Sequence, residues 1–151
     1  MNVVMLDDER ISLAVLKNHV GKIDGARGFA FTHPKNALRW CAANQADAVI
    51  IDFMMHEMDG LEFVEHFRML PGNADVPMLM VTGSRNAELR RLAHLTGVTT
   101  FLTKPLDVIS LRNRLSELLA ERARQKNLPE RAWQVAAPHR DRTRIPTFLS
   151  K

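Results

Sequence analysis

Five residues of reactive type close short apolar runs in this chain: Asp7 and Asp8 after Val3-Val4-Met5-Leu6, Asp52 after Val49-Ile50-Ile51, Thr82 after Met78-Leu79-Met80-Val81, and Lys104 after Phe101-Leu102-Thr103. A carboxylate at the end of a buried run is costly unless the site uses it or pairs it, and this singles out Asp52 as the reacting group. Three carboxylates within a few ångströms repel one another and raise at least one pKa unless a cation neutralises them. An all-oxygen acidic set suits Mg²⁺, which keeps several waters and binds through few carboxylates plus substrate phosphate. Aspartate can form covalent phospho-intermediates, so a metal-bound Asp52 is a candidate nucleophile toward phosphorus. Phosphoryl transfer needs mainly positioning and charge neutralisation; Mg²⁺ and Lys104 would supply the positive charge, and Thr82 a hydroxyl for a phosphoryl oxygen.

These residues can meet only if the elements between them deliver them to one edge. The first apolar run predicts a buried strand at 2–6, and Ile11, Val15, Leu16 and Val20 predict a helix over 10–20, stopped by Gly21. Gly25 and Gly28 turn the chain into a second strand at 29–32, and His33-Pro34 opens a helix with Ala37, Leu38 and Cys41 on one face. A third strand is predicted at 48–52; Asp59-Gly60 then leads into a helix carrying Phe63, Val64, Phe67 and Leu70, ended by Pro71-Gly72. Strand four is predicted at 78–82, a helix at 86–96 closed by Gly97, strand five at 99–103, and a last helix from near Asp107 with Leu111, Leu115, Leu118 and Leu119 on one face. Five strands alternating with five helices predict an α/β fold, doubly wound around a parallel sheet, because parallel strands need crossovers and the helices are the crossovers. In such sheets functional groups gather at the carboxyl ends of the strands, where all five candidates fall.

Composition agrees with one soluble domain: 151 residues, 46% apolar and 25% charged. No apolar run approaches a membrane span, so no membrane association is expected. Asp7, Asp8 and Glu9 stand where a leader peptide would be basic or apolar, so the expected compartment is the cytoplasm. One cysteine, Cys41, excludes an internal disulfide and a Cys-rich metal site. Charge is unevenly placed: residues 1–120 hold 13 Lys and Arg against 14 Asp and Glu, and residues 121–151 hold 8 against 3. With Pro129, Pro138 and the run through Arg140, Arg142 and Arg144, residues 123–151 read as a basic, mobile extension or linker after a domain at 1–122. That segment is too short for a helix-turn-helix domain, and DNA binding is not expected.

Taken together and in order, Leu6-Asp7-Asp8-Glu9, the Asp52 segment through Met58-Asp59-Gly60, Val81-Thr82-Gly83 and Phe101-Leu102-Thr103-Lys104-Pro105 resemble the response-regulator receiver domain of two-component signalling, over residues 1 to about 122. The resemblance implies a CheY-like, flavodoxin-like sheet of order 2-1-3-4-5. It implies that Asp52 accepts a phosphoryl group from the phosphohistidine of a sensor histidine kinase or phosphotransfer protein. Asp7, Asp8, Asp52 and the main-chain carbonyl of Met54 would hold Mg²⁺, and Thr82 and Lys104 would bind the phosphoryl oxygens. Phe101 would be an aromatic switch that turns inward as Thr82 moves, with the face of helix four, strand five and helix five as the output and homodimer surface. Arg85, Arg90 and Arg91 would offer contacts on that face. Such a domain is a switch, not a turnover enzyme. Three positions depart from the usual pattern: His56 stands where proline is common, Met54 where a polar residue is frequent, and Phe101 lacks the hydroxyl of a tyrosine.

A narrower resemblance runs through Ala37-Leu38-Arg39-Trp40-Cys41 and from Asp59-Gly60-Leu61-Glu62-Phe63 to Val81-Thr82, which are similar to receivers preceding HD-GYP cyclic-di-GMP phosphodiesterases. It implies, as an alternative, the N-terminal receiver of a longer enzyme-linked regulator, although these residues contain no HD or GYP motif. Taken singly the motifs have plainer readings: Asp7-Asp8 as a helix cap, Thr82 as a β-branched strand residue, Lys104 as a solvated amine and His56 as an exposed loop histidine. Trp40, Cys41, Met54, Met55, Met58, Met78 and Met80 read as packing around the core and the site mouth. A flavodoxin-like cofactor binder would need a phosphate cradle after the first strand, where Asp7-Asp8-Glu9 repel anions. A haloacid-dehalogenase-type phosphatase would need an acid where Met54 stands.

Overall fold

Strand and helix alternate five times: β1 (Asn2–Leu6), α1 (Arg10–Val20), β2 (Arg27–Phe31), α2 (Pro34–Ala43), β3 (Ala48–Asp52), α3 (Gly60–Met69), β4 (Met78–Thr82), α4 (Ala87–Thr96), β5 (Thr100–Thr103) and α5 (Val108–Lys126). The structure, a computed structural model, describes residues 1–127. Every strand pairing is parallel, and the sheet order is β2-β1-β3-β4-β5, the expected doubly wound arrangement.

Two cores form because successive side chains on a strand point to opposite faces. Val4, Leu6, Val49, Ile51, Met78 and Met80 pack under α2, α3 and α4, meeting Ala37, Leu38, Phe63, Phe67 and Ala93. Val3, Met5, Ala48, Ile50, Leu79 and Val81 pack on the other face against Leu13 and Leu16 of α1 and Leu111, Leu115 and Leu118 of α5. Burying an aliphatic side chain of this kind contributes roughly 1.5–3 kcal/mol. β1, β3 and β4 are thus packed from both faces of the sheet.

The inner strands β3 and β4 are buried along their whole length, and their bounds coincide with the apolar runs. The edge strand β2 differs. It begins at Arg27 rather than at the predicted residue 29, since its register with β1 runs from Asn2↔Arg27 to Leu6↔Phe31. An edge strand exposes some of its residues, so its apolar stretch is shorter than its hydrogen-bonded length. α5 continues through residue 122 to Lys126, and the basic segment with Arg140, Arg142 and Arg144 lies outside the described residues. Among the described residues no helix is long and apolar enough to cross a membrane.

Two local devices hold the connections. Asp59 caps α3 by accepting from the N–H groups of Leu61 and Glu62 at 2.8 and 3.0 Å, while the Glu62 carboxylate accepts from the Asp59 N–H at 3.1 Å. Arg68 donates to the carbonyls of Asn73, Val76 and Gly97 at 2.7, 2.6 and 2.5 Å, tying the end of α3 to the loop before β4 and to the end of α4. Gly97 closes α4 at φ 115°, and a Cβ there would lie 2.9 Å from Arg68 Nε.

Candidate phosphoryl and metal site

Strand register brings the candidates together. Leu6 pairs with Ile51, Asp52 with Val81, and Thr82 with Thr103. Asp7, Asp52, Thr82 and Lys104 therefore step across the carboxyl edge of four adjacent strands. The chain leaves β1 toward β2 on one side, while β3 lies on the other, so Asp7 and Asp52 flank the reversal of strand order where such sheets bind ligands.

Carboxylate oxygens of Asp7, Asp8 and Asp52 all lie within 4.8 Å of one another. Asp7 is 3% exposed and Asp52 5%, and Lys104 Nζ stands 3.1 Å from Asp52 Oδ1. The amine thus pairs with Asp52 and, among the described residues, leaves Asp7 without a cation of its own. Burial pushes the Asp7 carboxyl above the usual range, and the charge of Asp52 raises it further against the opposing pull of the Glu9 N–H bond and Lys104. Burial pulls the Lys104 ammonium down, but its hydrogen bond to Asp52 and the charges of Asp52, Asp7 and Glu9 outweigh this, leaving it above the ordinary lysine value. A hard, all-oxygen donor set carrying uncompensated negative charge fits a divalent cation such as Mg²⁺. Beside it opens a cavity of about 270 Å³ lined by Asp7, Asp52, Lys104, Val15 and Leu106.

The segment after Asp52 is held close to the sheet. The Gly60 N–H donates to the Phe53 carbonyl at 2.9 Å, and a Cβ on Gly60 would meet Asp52 O, Phe53 Cα and Met80 Cε at 3.0 Å, so this tight return requires glycine. Met54 is 71% exposed and fills no core gap, whereas Met78 and Met80 are wholly buried. His33 Nδ1 meets Glu57 Oε1 at 2.7 Å. His56 is exposed as a side chain, yet its N–H donates to Asp8 Oδ2 at 3.2 Å and its Nδ1 pairs with the same oxygen.

Thr82 is buried, and its Oγ1 accepts from the Ser84 N–H at 3.0 Å, anchoring the start of the β4–α4 loop. Phe101 is half-buried, with the Arg90 guanidinium 5.7 Å from its ring centroid. Arg91 pairs with Glu88 at 3.2 Å, and Arg85 precedes α4 instead of lying on it. Trp40 packs against Phe29 at 4.4 Å between ring centroids, and Cys41 is buried with its thiol pushed up to about 12 by burial, so neither joins the site. Sequence reasoning missed the His56–Asp8 and Arg90–Phe101 contacts, which join distant segments and leave no periodic trace.

Comparison with known proteins agrees with this fold. The chain is 34% identical to the cyclic di-GMP phosphodiesterase response regulator RpfG of Xanthomonas campestris pv. campestris over 136 residues, covering 89% of this chain and 36% of that protein. It is 33% identical to the heme response regulator HssR of Staphylococcus saprophyticus over 85 residues, or 56% of this chain and 37% of that protein. The chain thus spans little more than a third of either relative. The chemotaxis protein CheY4 of Vibrio cholerae superposes with a TM-score of 0.73 at 25% identity, over 78% of this chain and 97% of that one. The signal receiver domain of an HD domain-containing protein from Pseudomonas fluorescens shares the fold at a TM-score of 0.73 and 19% identity, over 84% and 93% of the two chains. The response regulator receiver domain profile matches residues 3–116, so the acidic cluster, Thr82 and Lys104 all fall inside the match, and the chain belongs to the response-regulator receiver-domain family of two-component systems.

Proposed function

We propose that Asp52 is the phosphoacceptor of a signalling switch, loaded from the phosphohistidine of a sensor histidine kinase or phosphotransfer protein. The observation that carries this reading is three clustered carboxylates within 4.8 Å, two of them buried, with Lys104 Nζ at 3.1 Å from Asp52. An Asp52 carboxylate oxygen attacks phosphorus, the P–N bond to the donor imidazole breaks, and that imidazole leaves as the acyl phosphate forms. Asp7, Asp8, Asp52 and the Met54 carbonyl would hold Mg²⁺, which when bound supplies positive charge to the phosphoryl oxygens. Lys104, already charged and aimed at Asp52, neutralises the transferred group, and the Thr82 hydroxyl donates to it after leaving the Ser84 N–H.

That change at Thr82 draws on the half-buried Phe101 and, through Arg90, on α4, so the α4, β5 and α5 face would carry the signal to a partner or a second copy. The proposed role is a cytoplasmic switch without substrate turnover of its own. Incubation with Mg²⁺ and acetyl phosphate should give acid-labile phosphate on the intact chain and none on Asp52→Asn. Equal labelling of the variant would overturn the assignment of Asp52, and labelling without Mg²⁺ would overturn the metal requirement.

A second reading places this domain at the front of a longer cyclic di-GMP phosphodiesterase. The match to RpfG over 89% of this chain favours it. A reading frame continuing past residue 151 into an HD-GYP domain is the expected outcome; a stop or a DNA-binding domain there would exclude it.

A further inference from the structure

His56 makes two bonds to one atom: its main-chain N–H donates to Asp8 Oδ2 at 3.2 Å, and its imidazole Nδ1 pairs with that same oxygen. The imidazole is 94% exposed, so burial does not hold it there, whereas the Asp8 side chain is 21% exposed and turned toward the site. The two residues stand 48 positions apart, one in the loop after β1 and the other in the loop after β3. Residues 53–59 also contain Met54, whose carbonyl the proposed function assigns to the metal.

We infer that His56 is a positioning residue for the divalent cation, resting on the reading that Mg²⁺ binds at the acidic cluster. By occupying Asp8 Oδ2 with two donors, it fixes the rotation of that carboxylate and leaves Oδ1 for the cation. The same contact fastens the Met54 segment to the end of β1, so one residue orders two parts of the metal site before the metal arrives. A carboxylate already held in one rotamer has less freedom to lose on binding. Hydrogen-bond partners behind metal ligands commonly change metal affinity by about 10–100-fold when removed. His56 does not itself complete the ligand set: the oxygens that lie within 4.8 Å of one another belong to Asp7, Asp8 and Asp52.

The two bonds can be removed separately. His56→Asn keeps the main-chain N–H and puts an amide N–H near the position of Nδ1, His56→Ala keeps only the main-chain donor, and His56→Pro has neither. Calorimetric titration of the full chain with Mg²⁺ alone should give a dissociation constant near the unmodified value for His56→Asn, about tenfold weaker for His56→Ala, and weaker again for His56→Pro. The melting temperature of His56→Ala without Mg²⁺ should stay close to that of the unmodified chain, since the side chain is exposed. Equal or tighter Mg²⁺ binding by His56→Ala, or a His56→Asn variant as weak as His56→Ala, would overturn the positioning role while leaving the proposed function standing. An unmodified chain that binds no Mg²⁺ would overturn both.

Discussion

β3 has a buried aspartate at each end, and the two are used in opposite ways. Asp47, just before the strand, is 4% exposed and fully matched: Oδ2 accepts from the Asn2 N–H at 2.6 Å and Oδ1 pairs with Lys126 at the end of α5. Asp52, at the other end, is 5% exposed and has Lys104 on one oxygen, but Asp7 and Asp8 stand beside it. Burial of an acid therefore does not mark a site. The mark is charge left uncompensated after the nearby groups have been paired, which leaves room for a cation and a phosphoryl group at one end and only an anchor at the other.

The comparison breaks most readily at Asp47. Replacing it by alanine strands the Asn2 N–H and frees the end of α5, and should lower stability by about 2 kcal/mol, read as a lower urea midpoint. Asp52→Asn should lose none. A comparable fall for both would mean that the ends of β3 are energetically alike. Next in size, Mg²⁺ at about ten times its dissociation constant should stabilise the chain by roughly 1.4 kcal/mol. That increment should persist in Asp47→Ala and vanish in Asp52→Asn, as followed by thermal melting.

Asp7→Asn tests the cost of the buried charge, set first by burial and then by the charge of Asp52. A carboxyl whose folded pKa is raised opposes folding when ionised and ceases to do so as pH falls through its folded pKa. Without Mg²⁺, Asp7→Asn should be the more stable chain at neutral pH, by on the order of 1 kcal/mol. The gap should close as the pH falls through the raised value, and a gap that widened on acidification would refute that cost. The smallest change is expected for Lys126→Met, below about 1 kcal/mol because that amine is partly in water. A loss as large as that of Asp47→Ala would assign the anchor to the ion pair rather than to the Asn2 hydrogen bond.

Much of the fold was legible because the inner strands are covered on both faces. Continuous runs such as Ala48-Val49-Ile50-Ile51 can only be buried strands in this alternation, and β3 and β4 start and stop where the runs do. β2 was misread by two residues at its start because hydrogen bonding to β1, and not apolarity, sets where an edge strand begins. The candidate site was legible for a related reason: Asp7, Asp52, Thr82 and Lys104 each follow a strand directly, so strand order alone sends them to one edge. Asp47 follows no strand, and its partner Lys126 lies 79 positions away. Arg68 carries no sequence signal of its role, which is set by carbonyls of the loop before β4 and of the end of α4.

The sequence by itself determined the element order, the parallel sheet and the identity of the groups at its carboxyl edge, because periodicity and strand ends are local properties of the chain. Only the tertiary structure decided which buried aspartate is fully paired and which stands among other acids, and that His56 braces Asp8. Charge balance and hydrogen-bond partnership depend on groups that distant parts of the chain bring within a few ångströms of one another, and no local pattern encodes them.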